Sequence, residues 1–231
     1  MSGIRPHCRQ LPASLLGIDA SARKNYDRLP LVLLVTAAVI CLATVYAPPA
    51  GRTSWFLEVG PGLFGIAVMI GVHRRFPFSH WVHVCVFVHL LILIYGGIYT
   101  YALTPLGNWA MHAFDLSRNH YDRVGHLALG VFPAFTIREV LLRKTPLVRD
   151  GWLYFLVLCV VLAIAAFWEL LEWWVTLVAA SDVGQAFLGS QGDIWDAQWD
   201  MLLALVGAAL VLPIFGRAHD RSMARVPGLG P

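Results

Sequence analysis

Three short stretches of this chain concentrate residues able to bind a metal ion or move a proton. The first is Asn119-His120-Tyr121-Asp122-Arg123-Val124-Gly125-His126, where Asp122 and His126 are spaced i, i+4 and share one helix face. The second is Trp168-Glu169-Leu170-Leu171-Glu172-Trp173-Trp174, with two glutamates at i, i+3. The third is Gly192-Asp193-Ile194-Trp195-Asp196-Ala197-Gln198-Trp199-Asp200, whose aspartates at i, i+3, i+7 make one helical stripe. Carboxylates with one imidazole form a hard-oxygen ligand set with a borderline nitrogen. Such a set suits Mn²⁺, Mg²⁺, Fe²⁺ or Zn²⁺, and it equally suits a proton relay. On the metal reading, Asp122, His126, Glu169, Asp193 and Asp196 are the expected ligands of a divalent ion. Glu172 is the expected general base, Arg123 acts beside it, and Asp200 and Tyr99 are further candidates. Structural alternatives stand beside these roles. Ser190-Gln191-Gly192-Asp193 reads as a capping box with Asp193 as the helix cap. Asp122, Arg123 and His126 read equally as a polar knot between helices. Glu169 and Glu172 are harder to explain this way, because a carboxylate inside an apolar run needs a partner or a proton.

The elements that position these groups are membrane helices. The chain has 231 residues, of which 58% are hydrophobic and only 13% charged, with a mean hydropathy of +0.65. That charge content is about half of a soluble domain's. It excludes a disordered chain, a disulfide scaffold and an ordinary water-soluble enzyme. The net charge of +3 is too small to suggest a nucleic-acid partner. Cys8, Cys41, Cys85 and Cys159 are widely spaced and form no CxxC pair. Six apolar runs approach the ~20 residues a helix needs to cross a bilayer: residues 30–48, 55–72, 80–102, 121–142, 152–177 and 195–215. The expected fold is therefore an all-α, polytopic bundle of six transmembrane helices over residues 30–215, with tails at 1–29 and 216–231. No soluble domain fits in the connections, the longest being 103–120 and 178–194.

Lysine and arginine set the expected orientation. With the N-terminus inside, fourteen of the seventeen cations fall on the cytoplasmic side, and only Arg52, Arg118 and Arg123 fall outside. Both termini are then cytoplasmic. Glu58, Asp115, Asp122, Asp182, Asp193, Asp196 and Asp200 lie at or near the outer face, with Glu169 and Glu172 inside span five. Helical rise puts His126 about 8 Å into span four, and the two glutamates about 8–12 Å below the end of span five. The three acidic helix ends are thus expected to meet at one depth. Trp168, Trp173, Trp174, Trp195 and Trp199 surround them, some as an interfacial belt. Pro133 with Gly130 should kink span four below His126. In span three, His80 and His83 read as interface residues with His73 and Arg74, while His89 reads as an interhelical hydrogen-bonding group.

At these residues the chain resembles a known group. HLLILIYGGIYTYALTPLGNW, RNHYDRVGHLALG, FWELLEWW and FLGSQGDIWDAQWDM together resemble the bacterial inner-membrane proteins of the YjdF type, over about residues 30–215. The last three spans also look distantly like the VanZ-like group. That group's pattern is an Asp-Lys/Arg-x-x-His at a helix start, a Glu near the next helix end and an Asp before a final apolar helix. The matching positions here are Asp122-Arg123-x-x-His126, Glu169 or Glu172, and Asp193 or Asp196; the doubled Glu and tripled Asp depart from it. The resemblance implies an inner-membrane protein with an envelope-related role, whose polar set acts as a unit. It names no reaction.

Three functions remain open on the sequence. One is a metal-assisted enzyme embedded in the inner (plasma) membrane, acting on a lipid or cell-envelope small molecule. The second is a non-catalytic binding or assembly protein. The third is a proton-coupled transporter, which one-sided acids and the lack of an inverted repeat disfavour. No serine-nucleophile motif, Walker loop, HExxH or haem CxxCH is present. The expected partners are the bilayer and its lipids, and no oligomeric state is specified.

Overall fold

The computed structural model describes residues 20–178, 184 and 187–228. Most of the expected N-terminal tail, with Arg5, Cys8 and Arg9, lies outside the described residues, as does Asp182. The described residues are helical, with no strand among them. Six helices are long and apolar enough to span a membrane: α1 (Ala20–Val45, spanning from Arg23), α2 (Arg52–Val72), α3 (His80–Tyr99), the pair α5 (Tyr121–Val131) and α6 (Pro133–Lys144), α7 (Gly151–Val178) and α8 (Asp196–Met223). A short helix, α4 (Pro105–Ala113), lies in the 103–120 connection, which carries no apolar run. Leu106, Trp109 and Phe114 are exposed there, as on a helix lying in the membrane interface.

Helix α3 is the centre of the bundle. Ala37 of α1 and Trp55 and Val59 of α2 pack on its Leu90 and Ile94. Its Val82 and Cys85 join Ala134, Phe135, Val157, Val161, Ala204 and Ala208 in a second core that unites α3, α6, α7 and α8. Ser79 caps α3 by accepting from the Val82 amide, and Asp150 caps α7 by accepting from Trp152 and Leu153.

Four prolines interrupt the backbone ladders, Pro61 within α2 among them, and two of the freed carbonyls are taken by side chains. Helix α1 starts before Pro30 rather than at it. Pro30 cannot donate to the Tyr26 carbonyl, and the His80 imidazole fills that place at 2.8 Å while stacking on the Tyr26 ring at 4.1 Å. Pro213 leaves the Ala209 carbonyl free, and the Tyr154 hydroxyl donates to it at 3.0 Å. At Pro133 the helix breaks, with Phe132 as the joint between α5 and α6.

Helices α5 and α8 run parallel from the same end and meet backbone to backbone. A Cβ on Gly130 would stand 1.9 Å from the Ala204 carbonyl oxygen, and one on Gly207 would stand 2.6 Å from the Leu127 oxygen. Small residues thus let the two backbones touch. With Gly130 level with Ala204, one turn back puts His126 level with Asp200, and another puts Asp122 level with Asp196. The site register follows from this contact.

The opposite end of the bundle is locked by a second polar cluster. Glu139 accepts from the Ser79 amide at 2.9 Å, from Arg143 at 2.6 Å and from His219 Nε2 at 3.0 Å. Arg138 can only donate, so His219 Nδ1, 3.0 Å away, accepts and the ring proton sits on Nε2. Arg138 and Arg149 also hold Asp220, at 2.8 and 3.0 Å. This cluster has the properties of a structural lock. Glu139→Ala is expected to cost about 3–5 kcal/mol, the scale for removing one partner of a buried ion pair. A lowered unfolding midpoint in detergent, with the other end of the protein unchanged, checks it.

Candidate functional site

Helices α2, α5, α7 and α8 bring a group of ionisable side chains together at the end where α5 and α8 begin. Helix α5 supplies Asp122 and His126, α8 supplies Asp200, and α7 supplies Glu169 and Glu172. One donor atom from each of Asp122, His126 and Asp200 lies within 4.8 Å of the other two. Glu169 Oε1 stands 3.4 Å from His126 Nε2, and Asp122 Oδ1 stands 3.7 Å from it. Glu172 points to the same interior and accepts from its own helix's Trp168 Nε1 at 2.7 Å.

These groups are buried but not mutually satisfied. Asp200 is 1% exposed and His126 2%. Asp200 Oδ1, Glu169 Oε1 and His126 Nδ1 nevertheless have no hydrogen-bond partner. The contrast with the Glu139 cluster is direct, since there both carboxylate oxygens are engaged. Gathering carboxylates in a water-poor interior is costly unless a cation or protons offset their charge.

A second layer lies over this group. Arg118, in the segment before α5, reaches Asp196 at 2.5 Å and Asp193 at 3.7 Å, and donates to the carbonyls of Ser190 at 2.8 Å and Gly189 at 3.0 Å. Arg123 pairs with Asp193 at 2.5 Å and stands 5.6 Å from the centre of the Trp199 ring. The Gln191 side chain clasps Asn119, accepting from its amide at 3.1 Å and donating to its carbonyl at 2.8 Å. Gly189, at φ 66°, passes so close to Asp122 that a side chain there would meet Asp122 Oδ2 at 3.1 Å. His120 flanks this layer. Partial burial and then the charges of Arg123 and Arg118 hold its imidazole below the usual histidine range.

The structure therefore divides the residues singled out in the sequence. Asp122, His126, Glu169, Glu172 and Asp200 come together. Asp193 and Asp196 have their carboxylates engaged by Arg118 and Arg123, and Arg123 is correspondingly occupied. Asp193 does not cap α8 either. Its Oδ1 accepts from the Trp195 amide at 2.9 Å, in a turn that ends before the helix starts at Asp196. Tyr99 packs on Tyr95, at 5.5 Å between ring centres. Trp173, Trp174, Trp195 and Trp199 are exposed, as in an interfacial belt. His89 makes no interhelical hydrogen bond: its Nε2 is buried without a partner, and its ring stacks on Phe132.

Two further groups belong to the site and were not selected from the sequence. Tyr101 turns back into the bundle on a 3-10 turn (Tyr101–Leu103), its ring filling the space where a Gly96 side chain would be and lying against Gly125. The Gly96-Gly97 pair just before it was the available signal. Glu58 of α2 is 1% exposed, and neither of its oxygens has a hydrogen-bond partner. An acid inside an apolar span was signal enough for Glu58. Glu58, Tyr101, His126 and Trp168 all line one cavity of about 770 Å³.

Comparison with known proteins agrees with this architecture. The family described as "Predicted membrane protein (DUF2238)" matches residues 29–221. The chain is 38% identical over 198 residues to "Inner membrane protein YjdF" of Escherichia coli (strain K12), a match covering 85% of this chain and 94% of the relative. The more distant likeness to the VanZ-like group finds no support in these comparisons. No solved structure matches. With six apolar helices and a match along most of its length, the chain is a multi-pass inner-membrane protein and belongs to the DUF2238 family of predicted membrane proteins.

Proposed function

We propose that this protein is a metal-dependent enzyme embedded in the inner membrane, acting on a lipid or cell-envelope substrate. One observation carries the reading: Asp122, His126 and Asp200 present converging donor atoms, while buried donors among them and on Glu169 have no partner. In a structural knot the buried carboxylate would be expected to close its own hydrogen bonds, as Glu139 does with Ser79, Arg143 and His219. Asp122, His126 and Asp200, with Glu169 beside them, form an oxygen-rich set suited to Mn²⁺, Fe²⁺, Zn²⁺ or Mg²⁺. A divalent ion held there supplies polarisation of a phosphoryl or carbonyl oxygen. Glu172, fixed by Trp168, is placed to take and return a proton. Asp193 and Asp196 are assigned to the covering layer rather than to the ion. The lysines and arginines gather at the end opposite the cluster. By the bias of basic residues toward the cytoplasm, the cluster then lies near the periplasmic face, with both termini inside.

Elemental analysis of detergent-purified protein tests this reading, before and after soaking with Mn²⁺, Zn²⁺ or Mg²⁺. The expected result is one equivalent of a divalent ion in the wild type and in Glu172→Gln, and its loss in His126→Ala and Asp200→Asn at unchanged fold. A wild-type protein that takes up no ion after soaking overturns the reading.

A further inference from the structure

The candidate centre is covered at its end and open at its side. Over the end lie the Arg118–Asp196 pair, the Gln191–Asn119 clasp and the Gly189 turn. At the side, the 770 Å³ cavity that touches Glu58 and His126 continues as a groove between α2 and α5–α6, floored by Val86, His89, Leu90 and Leu93 of α3. Phe64, Val68, Val140 and Ile164 on its walls are exposed, so it faces the bilayer. Its lining reaches Arg75 and Lys144. Along α2 the distance from Glu58 to Val72, the last helical residue before Arg75, is about 21 Å at helical rise, some two-thirds of the ~30 Å thickness of the hydrocarbon core.

The groove is part of the packing and is not filled by it. Gly65 lines it, and a Cβ there would meet nothing within 4 Å. At its upper end stands Glu58, almost wholly buried, with two unpartnered oxygens. An apolar groove of this length that ends on unsatisfied polar groups has the shape of an amphiphile with a single hydrocarbon chain.

We propose that the substrate is a lipid that enters sideways from the bilayer, lays one hydrocarbon chain along the α2–α3–α6 groove and presents its polar head to the Asp122–His126–Asp200 centre beside Glu58. This rests on the reading of that centre as the place of reaction. Lateral entry explains how a site closed at its end remains accessible. It also explains why α2, which gives the centre only Glu58, stands apart from α5 and α6.

The test uses hexadecyl phosphate carrying a photoreactive diazirine at the far end of its chain, added to the full-length protein in nanodiscs. Head-first binding at the centre predicts crosslinks in the lower groove, near Val68, Ile137 and Val140. These should fall at least fivefold in Gly65→Phe and in Val68→Trp, and compete with unlabelled hexadecyl phosphate but not with inorganic phosphate. Bound metal, measured on the same samples, should be equal in Gly65→Phe and wild type. Position-specific labelling of a protein that holds no ion supports the lipid site and removes the metal reading alone. Labelling spread over all lipid-facing helices and untouched by either substitution overturns the proposal. Labelling concentrated near Leu93 and Tyr101 also overturns it, because it places the head at Arg75 and Lys144.

Discussion

Gly130→Ala is expected to empty the candidate centre without altering any of its ligands. A methyl group there would stand 1.9 Å from the Ala204 carbonyl oxygen and 2.9 Å from its Cα. The obstacle is backbone on both sides, so no rotamer change relieves it. Helices α5 and α8 must separate by more than an ångström, and His126 and Asp200 ride on the two sides of that gap. Overpacking of this kind costs about 1–3 kcal/mol of stability. The effect at the centre should be larger in proportion. A 1 Å misplacement at a reacting centre costs on the order of 100-fold in rate, and we expect metal affinity to fall on the same scale. Gly60→Ala is the control, because a Cβ there meets nothing within 4 Å. Metal titration of both variants decides the point. Unchanged affinity in Gly130→Ala would mean that the α5–α8 contact does not set the ligand geometry.

Arg118→Met is expected to be the most destabilising single change at this end, and to act by a different route. Arg118 is 6% exposed and serves Asp196 and two carbonyls at once. Removing it leaves Asp196 buried beside Asp122 and Asp200 with its counter-charge gone. Breaking a buried pair from one side costs about 3–5 kcal/mol. The turn around Gly189 also loses its two anchors, so proteolysis within the 187–195 segment should quicken. Lysine is not a conservative replacement, since a single ammonium cannot span the carboxylate and both carbonyls. Asp196→Asn in the Arg118→Met background should recover much of the loss. The ion is expected to stay bound, because the donors on Asp122, His126 and Asp200 remain. Full stability in Arg118→Met, by thermal unfolding, would assign the covering layer no structural role.

The membrane architecture was legible because its signals are local. Apolar runs mark the spans, and Pro133 marks the break between α5 and α6. The three acidic helix ends could be counted to a common depth from helical rise alone. What could not be read was which acids face inward and which are neutralised. The spacing of Asp193, Asp196 and Asp200 assumes one continuous helix. Gln191 and Gly192 instead adopt φ of 47° and 88°, and the turn they make takes Asp193 out of the stripe. Arg118 falls one turn before Asp122, but its partners are more than seventy residues away. Glu139 and His219 meet only through tertiary packing, across 80 residues. Tyr99 and Tyr101 differ by two positions in a tyrosine-rich exit, and only the room left by Gly96 decides which one turns inward.

The parallel pairing of α5 with α8 also has a consequence in time. Asp122 and His126 enter the membrane with α5, while Asp200 is synthesised 74 residues after His126. At about 5–20 residues per second, roughly 4–15 s separate the two. Throughout that interval α5 carries an acid and an imidazole in the bilayer with no α8 to shelter them, and Gly130 and Leu127 present a bare strip of backbone. The last helix is therefore the one that completes the molecule. A chain stopped before Asp196 would leave the same polar face open indefinitely, a mark by which membrane proteases could tell an unfinished copy from a finished one.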